Sequence, residues 1–115
     1  MLKTVPELLA AIEPPVRKIS AQEAAAECAN NGGIVIDVRE PAEHMSSPAP
    51  GAINIPRGVL EMKVLELFKD ADKPIYLHCA SSARAQLAAA QLAKLGYTNV
   101  SVMTCSVPDI QQALA

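Results

Sequence analysis

The stretch Cys79-Ala80-Ser81-Ser82-Ala83-Arg84 holds the residues best suited to chemistry in this chain. A thiol stands first, four small residues follow, and a guanidinium closes the run. Small side chains let a backbone curl closely around a sulfur atom. An arginine adds a permanent charge with a planar fork of donors suited to sulfonate, carboxylate or phosphate oxygens. Before the thiol runs the apolar segment "PIYLH" (74–78); after the loop an Ala-rich stretch with strong helix propensity extends from about Ala83 to Leu95, stopped by Gly96. Cys79 is therefore expected where a strand ends and a helix begins. There the unpartnered first-turn N–H groups and the partial positive charge of the helix favour a bound anion, and a thiolate over a thiol. The thiolate is the nucleophilic form. A free cysteine is often only a small buried hydrophobe, but cysteine, small-residue turn, arginine and helix start together favour an anion or sulfur site.

The elements that hold this loop are legible on either side. "VPELLAAIEPP" (5–15) has the spacing of a short amphipathic helix that Pro14-Pro15 must stop, an extension over residues 1–15 ahead of a domain over 16–115. "VRKI" (16–19) reads as a strand. Ser20 is placed to cap "AQEAAAECA", with Glu23 completing a capping box and Asn30 to Gly33 ending the helix. "IVIDV" (34–38) has the near-continuous apolar character of a strand covered on both faces. "EPAEHM" reads as a single helical turn and "SSPAPGA" (46–52) as an irregular surface loop, followed by a brief strand "INI" (53–55). "GVLEMKVLELFKDA" (58–71) places Val59, Met62, Leu65 and Phe68 on one helical stripe. "NVSVM" (99–103) is a last strand and "VPDIQQALA" a short closing helix. Strands alternating with helices predict an α/β sandwich with a parallel sheet and right-handed crossovers. Ligands bind beyond the carboxyl ends of such strands, where Cys79 falls.

Composition removes several classes. A chain of 115 residues is one domain, and half of them are hydrophobic and 19% charged, as in a folded globular protein. Phe68, Tyr76 and Tyr97 are the only aromatics, so the platforms on which single-stranded nucleic-acid binders stack bases are missing. A net charge of −2 with dispersed basic residues argues against nucleic acid as a partner. No run approaches the roughly 18 apolar residues of a membrane span, and a cytoplasmic location is expected. Cys28, Cys79 and Cys105 are odd in number and lack metal-like spacing, which speaks for reduced thiols rather than a disulfide framework or a metal centre. Cys28, in an Ala-rich helical stripe, is expected in the core.

The chain resembles a single-domain rhodanese, a thiosulfate sulfurtransferase-like domain, over about residues 16–105. "IVIDVREPAEH" is similar to the first signature of that family through Asp37, Val38, Arg39 and Glu43; "PGAINIP" (50–56) to the segment after it; and "PIYLHCASSARAQLAAAQLAKLGYTNV" to its active-site strand, loop and helix. The resemblance implies a three-layer sandwich with a central parallel sheet of about five strands, and a persulfide mechanism without metal or organic cofactor. Cys79 would be nucleophile and sulfur carrier, and the backbone of Ala80, Ser81, Ser82, Ala83 and Arg84 would stabilise the anionic sulfur. The Arg84 side chain would bind the donor or order the loop, with Asp37, Arg39 and Glu43 in support. The implied partners are a sulfur donor such as thiosulfate and an acceptor that is a thiol, a protein thiol or cyanide.

Departures from the family pattern cluster around the loop. Ser82 stands where a glycine is usual, Ala85 follows the arginine in place of Ser or Thr, "SSPA" replaces Gly-His-Ile, and "TCS" (104–106) replaces Gly-Gly. A left-handed twist that glycine makes freely costs a serine about 1 kcal/mol or more. Cys105 is expected beside the loop, where a second thiol could resolve a persulfide or an oxidised Cys79; its simpler reading is an isolated thiol. His78 is expected to point away from the loop by strand alternation, in a structural role. A rhodanese-fold binding or regulatory module without turnover is the alternative from another class. A phosphatase or arsenate reductase comes third, because four residues between Cys79 and Arg84 make a smaller ring than the five of the phosphatases.

Overall fold

The computed structural model describes all residues, 1–115. Five short strands, β1 (Arg17–Ile19), β2 (Ile34–Asp37), β3 (Ile53–Asn54), β4 (Ile75–His78) and β5 (Val100–Met103), form one sheet in the order β1-β5-β4-β2-β3, every neighbouring pair parallel. Six helices accompany them: α1 (Val5–Ala10), α2 (Ala21–Asn31), α3 (Pro41–Ser46), α4 (Leu60–Leu67), α5 (Ala83–Leu95) and α6 (Val107–Leu114). The expected α/β sandwich with a five-stranded parallel sheet is thus present.

Two apolar clusters occupy the two faces of the sheet, and strand alternation assigns residues to them. Ile75, Leu77 and Cys79 join Leu60 and Val64 of α4 and Ala85, Ala88, Ala89 and Leu92 of α5. Tyr76, between them, belongs with Ala21 and Ala24 of α2 and Ile110 of α6. All four residues of β4 are buried, as a central parallel strand requires. Alanines on α5 let that helix sit close to the strands, which compensates for the scarcity of aromatics.

Several boundaries follow the local chemistry. Ser20 and Glu23 form the expected capping box, and Gly32 and Gly96 end α2 and α5 in the left-handed conformation, φ 68° and 108°. One stripe differs from the expectation. Val59, Met62 and Leu65 are 38%, 66% and 44% exposed, whereas Leu60 and Val64 are fully buried with Phe68 packed partly against them. A short 3₁₀ turn over Arg57–Val59 delays the α-helix to Leu60 and sets its rotation, and the i, i+4, i+8 set at 60, 64 and 68 is the one that meets the sheet. Both faces of this helix are apolar, so periodicity alone did not separate them.

Candidate active site

Cys79 ends β4 and enters a loop that becomes α5 at Ala83. The residue is 1% exposed, lying under its own loop against the cluster on the α4/α5 face. Its Sγ accepts the N–H of Ala85 at 3.4 Å. That amide lies one residue beyond the predicted Ala80–Arg84 cradle, in the first turn of α5, where helical N–H groups have no intrahelical partner. Ala80 and Ser81 are exposed, and Ser82, Ala83 and Arg84 are half-buried.

Ser82 adopts φ 71° and ψ −17°, the only positive φ of a non-glycine residue in the chain. The position at which a glycine was the expected residue does demand the left-handed region, and serine occupies it at a cost of roughly 1–2 kcal/mol. Two bonds hold it there: Ser82 O accepts Gln86 N–H at 2.8 Å and Ser82 Oγ accepts Gln86 Nε2–H at 3.0 Å.

The acidic and basic residues singled out by sequence converge on the same end of the sheet. Asp37 is fully buried at the end of β2 and accepts from the Arg39 backbone N–H at 3.0 Å, from Arg39 Nε at 2.9 and 3.0 Å, and from Arg39 Nη2 at 2.8 Å. Burial pushes the Asp37 carboxyl up, but the Arg39 side-chain and backbone bonds, with His44, outweigh it and hold it below the ordinary carboxylate range. His44 Nδ1 lies 2.9 Å from Asp37 Oδ2; because that carboxylate is ionised, the proton is assigned to Nδ1. Arg39 Nη2 also donates to Ser47 O at 2.8 Å, and Asn54 Nδ2 donates to both Asp37 O and Arg39 O. Together these bonds fix α3 and β3 to the end of β2.

From α3, Glu43 reaches the Cys79 loop. Its two oxygens accept Arg84 Nη1 and Nη2 at 2.7 and 3.0 Å, a forked pair, and Oε1 also accepts the Glu40 N–H at 3.0 Å. Arg84 first, then the Glu40 amide, hold the Glu43 carboxyl down to about 2. Both terminal nitrogens of the guanidinium are thus engaged by Glu43, which links the loop to α3. Sequence reading did not single out His44, Asn54, Ser47, Gln86 or the Ala85 amide. The Ser82-to-Gln86 spacing of four residues at a helix start was the readable signal.

His78 faces away from Cys79, in register with Asp37 across the β2–β4 pair. The residue is fully buried and neither ring nitrogen has a hydrogen-bond partner. Burial pulls its pKa below the ordinary histidine value, partly opposed by Asp37. Cys105 follows β5 at the same end of the sheet, yet it packs with the α2/α6 cluster, and its Sγ accepts the Ala21 N–H at 3.3 Å. The two segments are neighbours while their thiols belong to opposite faces. Cys28 is half-buried against the α2/α6 cluster.

Comparison with known proteins agrees with this geometry. The family model of the rhodanese-like domain matches residues 20–113, and the chain belongs to that family. It is 42% identical over 66 residues to YqhL of Bacillus subtilis, described as an uncharacterized protein, covering 57% of this chain and 51% of that one. It is 36% identical over 67 residues to a protein of Allochromatium vinosum described as a sulfurtransferase, covering 58% of this chain and 61% of the other. The matched region thus spans half to three-fifths of the length of these curated relatives. A Rhodopseudomonas palustris structure, described as a protein of unknown function and possible tyrosine phosphatase, superposes with TM-score 0.83 at 20% identity over 98% of this chain and 92% of its own, a likeness of fold alone. No helix is long and apolar enough to cross a membrane.

Proposed function

We propose that this protein is a sulfurtransferase that carries a sulfane sulfur on Cys79. The observation that bears most weight is the placement of Cys79 Sγ at the end of β4, under a loop of four small residues, with a first-turn amide of α5 donated to it. Such an amide stabilises negative charge on Sγ in the thiolate that attacks the donor and is regenerated when the sulfur is passed on. The Cys79 thiolate attacks the outer sulfur of thiosulfate; the new S–S bond forms as the bond to the sulfonate breaks, and sulfite leaves with that electron pair. An acceptor thiolate or cyanide then attacks the outer sulfur of the Cys79 persulfide, taking it away and returning the Cys79 thiolate. No net oxidation occurs, and neither a metal nor an organic cofactor is called for.

Within this reading Asp37, Arg39 and Glu43 are supports: Asp37 and Arg39 anchor α3, and Glu43 on α3 holds Arg84. Small thiols and thiols of partner proteins are the acceptors that the reading implies, and the reducing cytoplasm is the compartment that suits three unpaired cysteines. The deep burial of Cys79 supports one competing reading, a rhodanese-fold binding module that does not turn over.

Intact and peptide-level mass spectrometry after incubation with thiosulfate, without reductant, tests the choice. Sulfurtransfer predicts one added sulfur confined to Cys79, released by cyanide as thiocyanate and absent from Cys79→Ser. A Cys79 that alkylates yet takes no sulfur from thiosulfate or from a low-molecular-weight persulfide eliminates the carrier reading in favour of the binding module.

A further inference from the structure

Four helices of this fold begin at a serine or threonine, and three of them use it in the same way. Thr4, Ser20 and Ser106 precede α1, α2 and α6 in extended backbone conformation. Each hydroxyl accepts the N–H three residues on, from Glu7, Glu23 and Asp109 respectively. This is the ordinary N-cap arrangement. At α5 the corresponding N–H belongs to Ala85, and it is donated to Cys79 Sγ instead. Ser82 makes no cap bond, is left-handed, and its Oγ accepts Gln86 Nε2–H at 3.0 Å.

The two arrangements exclude one another. An extended Ser82 would cap Ala85 and relieve the left-handed strain, but it would take from Cys79 the amide that serves the sulfur. Nothing in the intrinsic preference of serine selects the observed state. Gln86, whose Nε2–H the Ser82 hydroxyl accepts, is 7% exposed and lines a small cleft formed with Leu9, Ile12 and Pro15 of the N-terminal segment and with Val16. Held there, its carboxamide has Ser82 Oγ as its side-chain partner.

We propose that Gln86 is a positioning residue: by holding the Ser82 hydroxyl it prevents ordinary capping of α5 and reserves the Ala85 amide for the sulfur on Cys79. The inference deepens the sulfurtransferase reading and rests on Cys79 as the carrier. It also gives the N-terminal segment a part in the site, as one wall of the cleft that seats the Gln86 side chain.

Four proteins test it: wild type, Gln86→Leu, Ser82→Gly and the double variant. The readout is the iodoacetamide alkylation rate of Cys79 at neutral pH, resolved by peptide, with Cys28 as the monitor of folding. Gln86→Leu is expected to slow Cys79 alkylation about tenfold or more, the lower end of the worth of one hydrogen bond to a charged group. Added to Ser82→Gly, the same change is expected to alter the rate by less than about twofold, because glycine has no hydroxyl with which to recapture the Ala85 amide. An unchanged rate in Gln86→Leu, or an equal loss in both backgrounds, overturns the proposal. Gln86→Met, read in the same two backgrounds, replaces Gln86→Leu if Cys28 shows that variant unfolded. Sulfur loading from thiosulfate is measured on the same samples. Wild type that alkylates at Cys79 but never loads removes the sulfurtransferase reading, while the alkylation comparison still decides for or against Gln86.

Discussion

Replacing Asp37 by asparagine removes one charge from a buried pair while keeping its size. Arg39 is 4% exposed and directs its backbone N–H, Nε and Nη2 at this one carboxylate. Asparagine turns an amide N–H₂ toward those donors and leaves the guanidinium buried without a counter-charge. Breaking one side of such a pair costs about 3–5 kcal/mol, against a total stability of roughly 5–15 kcal/mol for a domain. At roughly 3–6 °C per kcal/mol for this size, the melting temperature should fall by about 9–30 °C. The pH dependence identifies the cause. The folded-state pKa of Asp37 lies below its ordinary 3.8, so its stabilisation is present above about pH 4 and is lost as the pH falls through the folded-state value. Urea unfolding of wild type and Asp37→Asn between pH 3 and 7 should give a gap that is widest at neutral pH and narrows below pH 4. A gap under 1 kcal/mol at pH 7, or one that stays constant to pH 3, would refute the charge-pair account.

Glu43→Gln separates ordering of the loop from stability. The Glu43–Arg84 pair is partly exposed, with side-chain accessibilities of 39% and 36%, so the loss in unfolding free energy should stay below about 1 kcal/mol, while stopped-flow loading of Cys79 should slow by about tenfold as the loop loses its tether to α3. His78→Leu should stabilise the fold by about 1–2 kcal/mol by removing two unpartnered buried nitrogens. In wild type the unfolded chain takes up a proton at His78 below about pH 6.5 and the folded chain only at lower pH, so stability drops on acidification from there; the variant should show a flatter slope between pH 6.5 and 5, checked by urea unfolding. Leu92→Ala, at a fully buried position of α5, should cost about 2–5 kcal/mol by urea titration.

Local chemistry was enough to make most of this architecture legible. Short β-branched runs, a capping box at Ser20, glycines after two helices and a small-residue loop before an Ala-rich stretch each act within a few residues, so α/β alternation and the strand-to-helix position of Cys79 could be read without coordinates. Asp37, Arg39, Glu43 and Arg84 were legible as a set only through a family resemblance, because 47 residues separate Asp37 from Arg84 in the chain and a parallel sheet brings them to one end. Which face of α4 is buried does not follow from periodicity, because both faces are apolar; it depends on the turn before it and the sheet beneath it. Cys105 was expected beside the loop on segment adjacency, yet the parity of residues along and after β5 turns its sulfur to the opposite face. The diversion of the Ser82 hydroxyl by Gln86 was equally beyond reach, since a serine before a helix is by propensity an N-cap. In the folded chain the Gln86 carboxamide holds the Ser82 hydroxyl, and the Ala85 N–H is donated to Cys79 Sγ. Residue types and spacing pointed to the chemistry proposed for the loop; the tertiary structure decided which donor reaches the sulfur, because that depends on groups made neighbours by folding.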